Sequence, residues 1–321
     1  MLLKKAVLFF ICLLYVFQSN NRCFGQELGV KQIIWTTEWS PDGAYFAYAG
    51  NIDSIKIYKS SDYSLFRSIA VKNTVTRIKW HPTKNILVYT TQLSEDKSSI
   101  YNLETQVKIE LGGISVDGAR GIDWNSDGSK FVIADNDGKI IIYNEKGLVI
   151  NTIKTESSKS YTSIDWHPTK NILLAISNNI KLFDIKGNLL KSIQHRKEDV
   201  LLLSATWHPS GNSFACGDYG DGSIKTLLQF WDENGALLQS IDISKGEYRN
   251  LVWNKKGTIL ASASDKLRIW NNRGKLLFEG NSSSYLWGLS WNEKEEKIIT
   301  SSLSGEVLIW NTKGEILKKI E

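Results

Sequence analysis

A tryptophan recurs at nearly constant spacing along the whole chain, and this repeat restricts the fold more than any other feature. The intervals are 38 to 46 residues, between Trp39, Trp80, Trp124, Trp166, Trp207, Trp253 and Trp291. Self-similarity with a period of roughly 20 to 50 residues is the signature of a repeat architecture. The sequence therefore predicts seven copies of one structural unit.

Each unit has the residues of short strands joined by tight turns. Further along each repeat, an alternating apolar run such as Leu267–Trp270 ends in an aromatic residue, and a run such as Leu189–Ile193 closes the unit. No segment after residue 25 has helical periodicity. Proline favours the second position of a type I turn, and all four prolines stand two residues after a repeat tryptophan: Pro41, Pro82, Pro168 and Pro209. Four strands per unit predict an all-β fold, a seven-bladed β-propeller of four-stranded antiparallel blades.

The repeat resembles that of the WD-repeat family over about residues 30–321. The motifs that carry the resemblance are Phe230-Trp231-Asp232, Ile269-Trp270-Asn271 and Ile309-Trp310-Asn311 at the end of the third strand, and an acidic residue in the turn before that strand at Asp53, Asp137, Asp221 and Asp265. No repeat has the family's Gly-His pair, and Asn178-Asn179 and Ser304 replace the turn acid. The resemblance therefore implies a propeller whose blades are held more by stacked aromatic and β-branched residues than by the family's polar network.

The first 25 residues differ from the repeats. Lys4 and Lys5 precede an apolar run over residues 6–17 and a polar stretch over residues 18–22, the order of regions in a secretory signal peptide. The apolar run is shorter than the roughly 20 residues that span a bilayer. We predict a signal peptide over residues 1–25 and an exported protein, which is periplasmic, secreted or at the cell surface. An uncleaved anchor through residues 6–17, on an intracellular scaffold, is the alternative.

The remaining residues, 26–321, are predicted to form the propeller. We expect Glu315 to Glu321 to supply the outer strand of the last blade. The seam between the last and first blades would then close by side-chain packing, to which a marginal strand over residues 27–30 would add. The predicted blades span approximately residues 31–71, 72–115, 116–157, 158–198, 199–245, 246–282 and 283–321.

Charge and cysteine content restrict the partners and the cross-links. The formal charge of +5 falls to +2 when Lys4, Lys5 and Arg22 leave with the signal peptide. A nearly neutral domain has no overall electrostatic reason to bind nucleic acid or an anionic membrane. Only Cys216 remains after cleavage, so the sequence predicts no intrachain disulfide.

The histidines and the acidic turn do not predict a metal site. His81, His167 and His208 each follow a repeat tryptophan in separate blades, and we expect exposed turn residues too far apart to share an ion. His195 is expected to be solvated. Asp135-Asn-Asp-Gly138 resembles the start of a calcium loop but lacks the later ligands. No metal and no cofactor is predicted.

Three carboxylates raise the question of catalysis. Glu38, Asp123 and Asp165 each stand directly before a repeat tryptophan, on the innermost strand. A pair of carboxylates about 5 to 9 Å apart can hydrolyse a glycosidic bond. The corresponding residues in the other blades are mixed, which is more typical of a channel lining. Motifs of other hydrolases and of nucleotide-binding proteins are absent from the sequence.

The position four residues before each repeat tryptophan is the more informative one. It carries Trp35, Thr76, Arg120, Thr162, Leu203, Arg249 and Trp287, at the end of the channel that the WD-repeat resemblance implies as a recognition face. Large aromatic residues and arginine dominate interface energetics. The predicted partner-binding residues are Trp35, Arg77, Arg120, Tyr161, Tyr248, Arg249, Tyr285 and Trp287. In an alternative interpretation, Trp35 and Trp287 plug the channel or pack between blades.

These observations favour a non-enzymatic scaffold that binds a protein or peptide partner through the channel-end face. The alternative is a propeller-fold hydrolase that uses the channel carboxylates.

Overall fold

Each repeat folds into a sheet of four strands, and the computed structural model describes residues 32–92, 96–155, 160–220, 223–294 and 296–320. The innermost strands are β1 (Ile34–Trp39), β5 (Val75–Trp80), β9 (Ala119–Trp124), β13 (Ser163–Trp166), β17 (Leu202–Trp207), β21 (Asn250–Trp253) and β25 (Leu286–Asn292). The second strands are β2 (Tyr45–Gly50), β6 (Ile86–Thr91), β10 (Lys130–Asp135), β14 (Ile172–Ile176), β18 (Ser213–Asp218), β22 (Ile259–Ala263) and β26 (Lys297–Ser302).

The two outer strands complete each blade. The third strands are β3 (Ser54–Lys59), β7 (Ser99–Asn102), β11 (Lys139–Asn144), β15 (Ile180–Asp184), β19 (Leu228–Asp232), β23 (Leu267–Asn271) and β27 (Val307–Asn311). The outermost strands are β4 (Leu65–Ala70), β8 (Lys108–Glu110), β12 (Val149–Lys154), β16 (Leu189–Ile193), β20 (Leu237–Ile241), β24 (Leu276–Gly280) and β28 (Ile316–Ile320). Within the described ranges each sheet pairs four consecutive strands antiparallel, which confirms the predicted seven-bladed propeller.

The turn after the repeat tryptophan forms as its residues predict. In the first blade the amide of Gly43 donates to the carbonyl of Ser40 at 2.9 Å, and Asp42 accepts from the amide of Ala44. Gly43 has φ +69°, a left-handed conformation that glycine adopts without steric cost. Each innermost strand is therefore reversed at its tryptophan, which fixes the tryptophans at one end of the channel.

The hydrophobic core lies between the blades. The described residues form seven buried clusters, and each contains side chains from two neighbouring blades. The repeat tryptophans belong to these clusters and are 4–8% exposed. Trp80 also donates its indole N–H to the carbonyl of Glu38 in the preceding blade, at 3.3 Å. Because a blade buries its apolar faces only against its neighbours, the ring gains its stability as a whole.

The seam between the last and first blades is packed like the other six junctions. One cluster joins Ile34, Trp39 and Phe46 of the first blade to Ile299 and Ile309 of the last. The amide of Trp39 also donates to the hydroxyl of Ser290 at 3.0 Å. The predicted closure by side-chain packing is confirmed, and β28 is the expected outer strand.

Two sequence predictions fall outside the described residues. They are the signal peptide over residues 1–25, with its alternative anchor at residues 6–17, and the marginal strand over residues 27–30. Among the residues that the structure describes, none belongs to a helix long and apolar enough to cross a membrane.

Candidate functional site

The position four residues before each repeat tryptophan lies where the innermost strands begin, at the end of the channel that we call the channel mouth. In five blades this residue is a β-bulge, because the pairing with the second strand slips by one residue there. The bulged residues are Trp35, Thr76, Arg120, Leu203 and Trp287. Thr162 and Arg249 hold the position directly before β13 and β21. A bulge re-aims its side chain out of the strand's alternation.

The threonines at this position form hydrogen bonds between neighbouring blades. The hydroxyl of Thr76 donates to the carbonyl of Ala119 in the next blade at 2.6 Å, and that of Thr162 donates to the carbonyl of Leu202 at the same distance. The short side chains therefore link neighbouring blades. The long side chains at the equivalent positions extend over the channel instead.

Four of these long side chains meet and form what we call the channel-mouth cluster: Trp35, Arg120, Arg249 and Trp287. The two indoles lie edge to face across the seam, with ring centroids 4.9 Å apart. The guanidinium carbon of Arg249 lies 4.2 Å from the ring centroid of Trp287, and that of Arg120 lies 5.5 Å from the centroid of Trp35. Both distances are within the range of cation–π attraction. The cluster brings together side chains of the first, third, sixth and seventh blades.

The cluster carries more positive than negative charge. Arg249 forms an ion pair with Glu247. Arg120 has no ion pair among the described residues, and its Nε is buried without a hydrogen-bond partner there. Burial, and then the nearby charge of Arg249, lower the pKa of Arg120 to about 10. The cluster therefore contains two guanidinium groups and one neighbouring carboxylate, Glu247, which contacts Arg249.

The other four predicted partner-binding residues lie in three different environments. Tyr285 is 49% exposed at the same end of the channel, on the loop that leads into β25. Arg77 faces the charges of Glu38 and Asp165 inside the channel, where burial lowers its pKa and these two carboxylates oppose the shift. Tyr161 and Tyr248 are 0% exposed and belong to the cores between blades. We therefore correct the predicted set, because neither tyrosine can touch a partner of the folded protein.

The channel carboxylates hold neighbouring blades together. Asp123 accepts the amide N–H of Trp166 at 2.8 Å, and Asp165 accepts that of Trp207 at 2.6 Å. Lys79 Nζ lies between two of the carboxylates, 3.4 Å from Glu38 Oε1 and 3.8 Å from Asp123 Oδ1. These contacts repeat from blade to blade, as expected of a structural role at this position.

Burial perturbs the protonation of this charged ring. It raises the pKa of Asp165 well above its usual range, and the neighbouring charge of Asp123 raises it further. The pKa of Glu38 is also raised by burial, although Lys79 opposes the shift. For Lys79, burial disfavours the charged form, but Glu38 and Asp123 outweigh it and raise the pKa. The ring therefore holds a proton on Asp165 at pH values where an exposed aspartate would be ionised.

The prediction of exposed imidazoles after the repeat tryptophans is wrong for His81 and His167. Their residues are 1% and 2% exposed, and His208 is partly buried. His167 Nε2 lies 3.0 Å from the carbonyl of Gly211, and His208 Nε2 lies 2.8 Å from that of Gly257, both in the next blade. Each ring also packs edge-on against the next repeat tryptophan; the pairs are His81–Trp124, His167–Trp207 and His208–Trp253. These histidines are therefore links between blades at the end opposite the mouth.

Comparison with known proteins agrees with this architecture. The family model of eukaryotic translation initiation factor eIF2A matches residues 55–201. The chain is similar to two proteins of Arabidopsis thaliana, actin-related protein 2/3 complex subunit 1A, with 25% identity, and subunit 1B, with 27% identity. Each alignment runs over 264 residues and covers 71% of this chain and 66% of the relative, slightly less than two thirds. The matched family and both relatives are of the WD-repeat type.

The chain is a WD-repeat-type β-propeller. Two of its third-strand tryptophans bond within their own blades, because Trp270 donates its indole N–H to Ser262 at 2.9 Å and Trp310 donates to Thr300 at 2.8 Å, whereas Trp231 Nε1 has no partner among the described residues. Trp270 and Trp310 are buried, at 1% and 0% exposure. The resemblance drawn from the repeat is therefore confirmed.

In the sixth blade the indicated turn acid, Asp265, accepts hydrogen bonds from Arg268, Ser264 and Ser244. Other blades build this polar network from different residues than those that the sequence indicated. Asp137 and Asp53 are exposed, whereas Asp135 is fully buried and accepts the amide of Ser115 at 3.0 Å. In the fifth blade the buried acid is Asp218, and the predicted Asp221 lies outside the described residues. Both buried acids end a second strand, two or three residues before the positions that the spacing indicated.

His195 is part of this network, and the prediction that it is solvated is wrong. Its side chain is 0% exposed, with Nε2 3.7 Å from Asp218 Oδ2. Arg196 donates to the same oxygen at 2.7 Å. Within the described residues no three histidine, cysteine or acidic side chains converge as metal ligands would.

Proposed function

We propose that this protein is a non-enzymatic scaffold that binds a protein or peptide partner at its channel mouth. The observation that carries the proposal is the convergence of Trp35, Trp287 and two arginines from four different blades on one surface. Tryptophan and arginine supply the largest share of binding energy in protein interfaces. A rigid ring also holds them in place before the partner arrives, which lowers the entropic cost of binding.

The comparisons support a role in assembly. The two relatives are named as subunits of the actin-related protein 2/3 complex, so they act as parts of a larger protein assembly. The engagement of Asp123 and Asp165 with backbone amides supports the scaffold over the hydrolase, because both carboxylates already stabilise the ring.

An affinity purification with matched variants tests the proposal. The full chain, a W35A/W287A variant and an R273Q control are used as bait in extract of the source organism. Arg273 is exposed in the turn between β23 and β24, at the end opposite the mouth. We expect the R273Q bait to retain the same proteins as the parent and the W35A/W287A bait to lose them. Equal recovery with a W35A/W287A variant that keeps cooperative thermal unfolding would contradict the proposal.

We also propose that the protein is exported. Support comes from Lys4 and Lys5, the apolar run over residues 6–17 and the polar stretch before Gln26. Mass spectrometry of the protein purified from its own organism tests this proposal. A chain that begins at Gln26 supports cleavage and export, whereas an intact N-terminus supports the anchored alternative.

A further inference from the structure

Arg120 is the charged side chain of the channel mouth that has no counter-ion among the described residues. Arg249 has Glu247 as a counter-ion, but no carboxylate among the described residues pairs with Arg120. Its Nε is buried and donates no hydrogen bond within those residues, and the same is true of the Nε of Arg249. A buried or half-buried charge normally has a partner, because desolvation without one is costly. A ligand that completes this site therefore has to supply a negatively charged hydrogen-bond acceptor to Arg120.

The surroundings of Arg120 keep its donors available. Its guanidinium lies over the face of Trp35, 5.5 Å from the ring centroid. Stacking on an aromatic face orients the guanidinium plane and leaves the N–H edge free for a bidentate hydrogen bond to a carboxylate. Trp287 holds Arg249 in the same manner at 4.2 Å, and the two indoles fix each other edge to face.

The repulsion between Arg120 and Arg249 also favours a ligand group with negative charge. The charge of Arg249 destabilises the charged form of Arg120 across the channel. A carboxylate placed between them would relieve this repulsion and supply the acceptor that Arg120 lacks. The contact of Glu247 with Arg249 is an example of this pairing within the chain itself.

We propose that the channel mouth recognises an acidic side chain, aspartate or glutamate, on a peptide segment of the partner, held between Arg120 and Arg249. Trp35 and Trp287 contact the apolar part of the same segment. This inference rests on the proposed binding function and specifies the chemistry of the partner. A domain that is nearly neutral once the predicted signal peptide is removed makes an extended polyanion a poor alternative, because it has no overall positive charge to attract one.

Selection from a random peptide library tests the inference without a known partner. Random heptapeptides displayed on phage are selected for binding to the full chain. The enriched peptides are then synthesised with amidated C-termini. Each is then titrated by calorimetry against the parent, R120Q, R120K, W35A/W287A and the R273Q control. We expect the enriched peptides to share one acidic position. Glutamine at that position, or R120Q, should raise the dissociation constant on the order of 10- to 100-fold. R120K should retain part of the affinity, and R273Q all of it.

The outcomes separate this inference from the proposed function. Enriched peptides without a common acidic residue that still lose affinity for W35A/W287A overturn the acidic-ligand inference and support the binding function. Peptides that bind W35A/W287A as tightly as the parent, or a library with no enriched peptide, overturn both. Retained affinity of an acidic peptide for a folded R120Q variant overturns the assignment to Arg120.

Discussion

Trp35 and Trp287 meet edge to face across the seam of the ring, with their centroids 4.9 Å apart. They occupy the same repeat position in the first and last blades, and each is displaced from its strand by a bulge. Trp35 is 9% exposed and Trp287 is partly exposed. The pair therefore contributes to the closing seam and to the candidate binding surface at once.

A double-mutant cycle measures the contribution of this pair to the seam. Edge-to-face aromatic pairs add about 0.5–1.5 kcal/mol beyond the area that they bury. We expect W35L and W287L to show a coupling free energy of that size in urea unfolding. The combination of W35L with W166L, in a distant blade, should be additive within about 0.5 kcal/mol. Additivity of W35L with W287L would show that the contact does not stabilise the seam.

The buried histidines give a second prediction about the ring. Removal of His167 leaves the carbonyl of Gly211 without its partner and empties the space beside Trp207. We expect H167A to lower the free energy of unfolding by about 1–3 kcal/mol. H167F keeps a ring of similar shape but not the hydrogen bond, so it should lose less than H167A. Equal stability of H167A and the parent in urea unfolding would refute the link between blades.

The tryptophan spacing was sufficient to predict the fold, because each repeat tryptophan is followed by a turn and buried between two blades. The same spacing identified the channel-mouth position. It could not separate Arg120 from Thr162, which has the same position but binds a neighbouring carbonyl. That distinction depends on side-chain length and not on the bulges, because Thr76 is bulged and bonds a carbonyl, whereas Arg249 joins the cluster without a bulge.

The sequence predictions for His81 and Asp137 are wrong because contacts between blades join residues about forty positions apart. His81 follows a tryptophan and a proline turn, which suggested exposure, yet its ring packs on Trp124 of the next blade. Asp137 fitted the spacing of the turn acid, but the chain buries Asp135. The neighbouring blade decides which of these side chains is buried, so the local sequence alone does not predict it.

The channel acids predict a dependence of stability on pH. The folded protein retains the proton of Asp165 above about pH 4, where the unfolded chain releases it. The contribution of this group to the free energy of unfolding is therefore present at low pH and is lost as the pH rises through its folded pKa. D165N keeps an oxygen for the amide of Trp207 and carries no charge. We expect its stability relative to the parent to increase above pH 4 and then level off.

The D165A variant is the control for this measurement. It removes the acceptor as well as the charge, so the amide of Trp207 loses its partner at a cost of about 1–3 kcal/mol. Urea unfolding of the parent, D165N and D165A between pH 4 and 9 separates the two effects. A constant difference between D165N and the parent over this range would contradict a raised pKa for Asp165.

Site-specific photo-crosslinking tests the central claim, that the partner occupies the channel mouth. p-Benzoylphenylalanine replaces Tyr285, which is 49% exposed beside the mouth, or Arg273 at the opposite end. Both proteins are irradiated with the partner recovered by affinity purification, and the cross-linked species is quantified by mass spectrometry. A partner bound at the channel mouth should cross-link from position 285 and not from position 273. A partner that cross-links from position 273 and not from position 285 would contradict this claim.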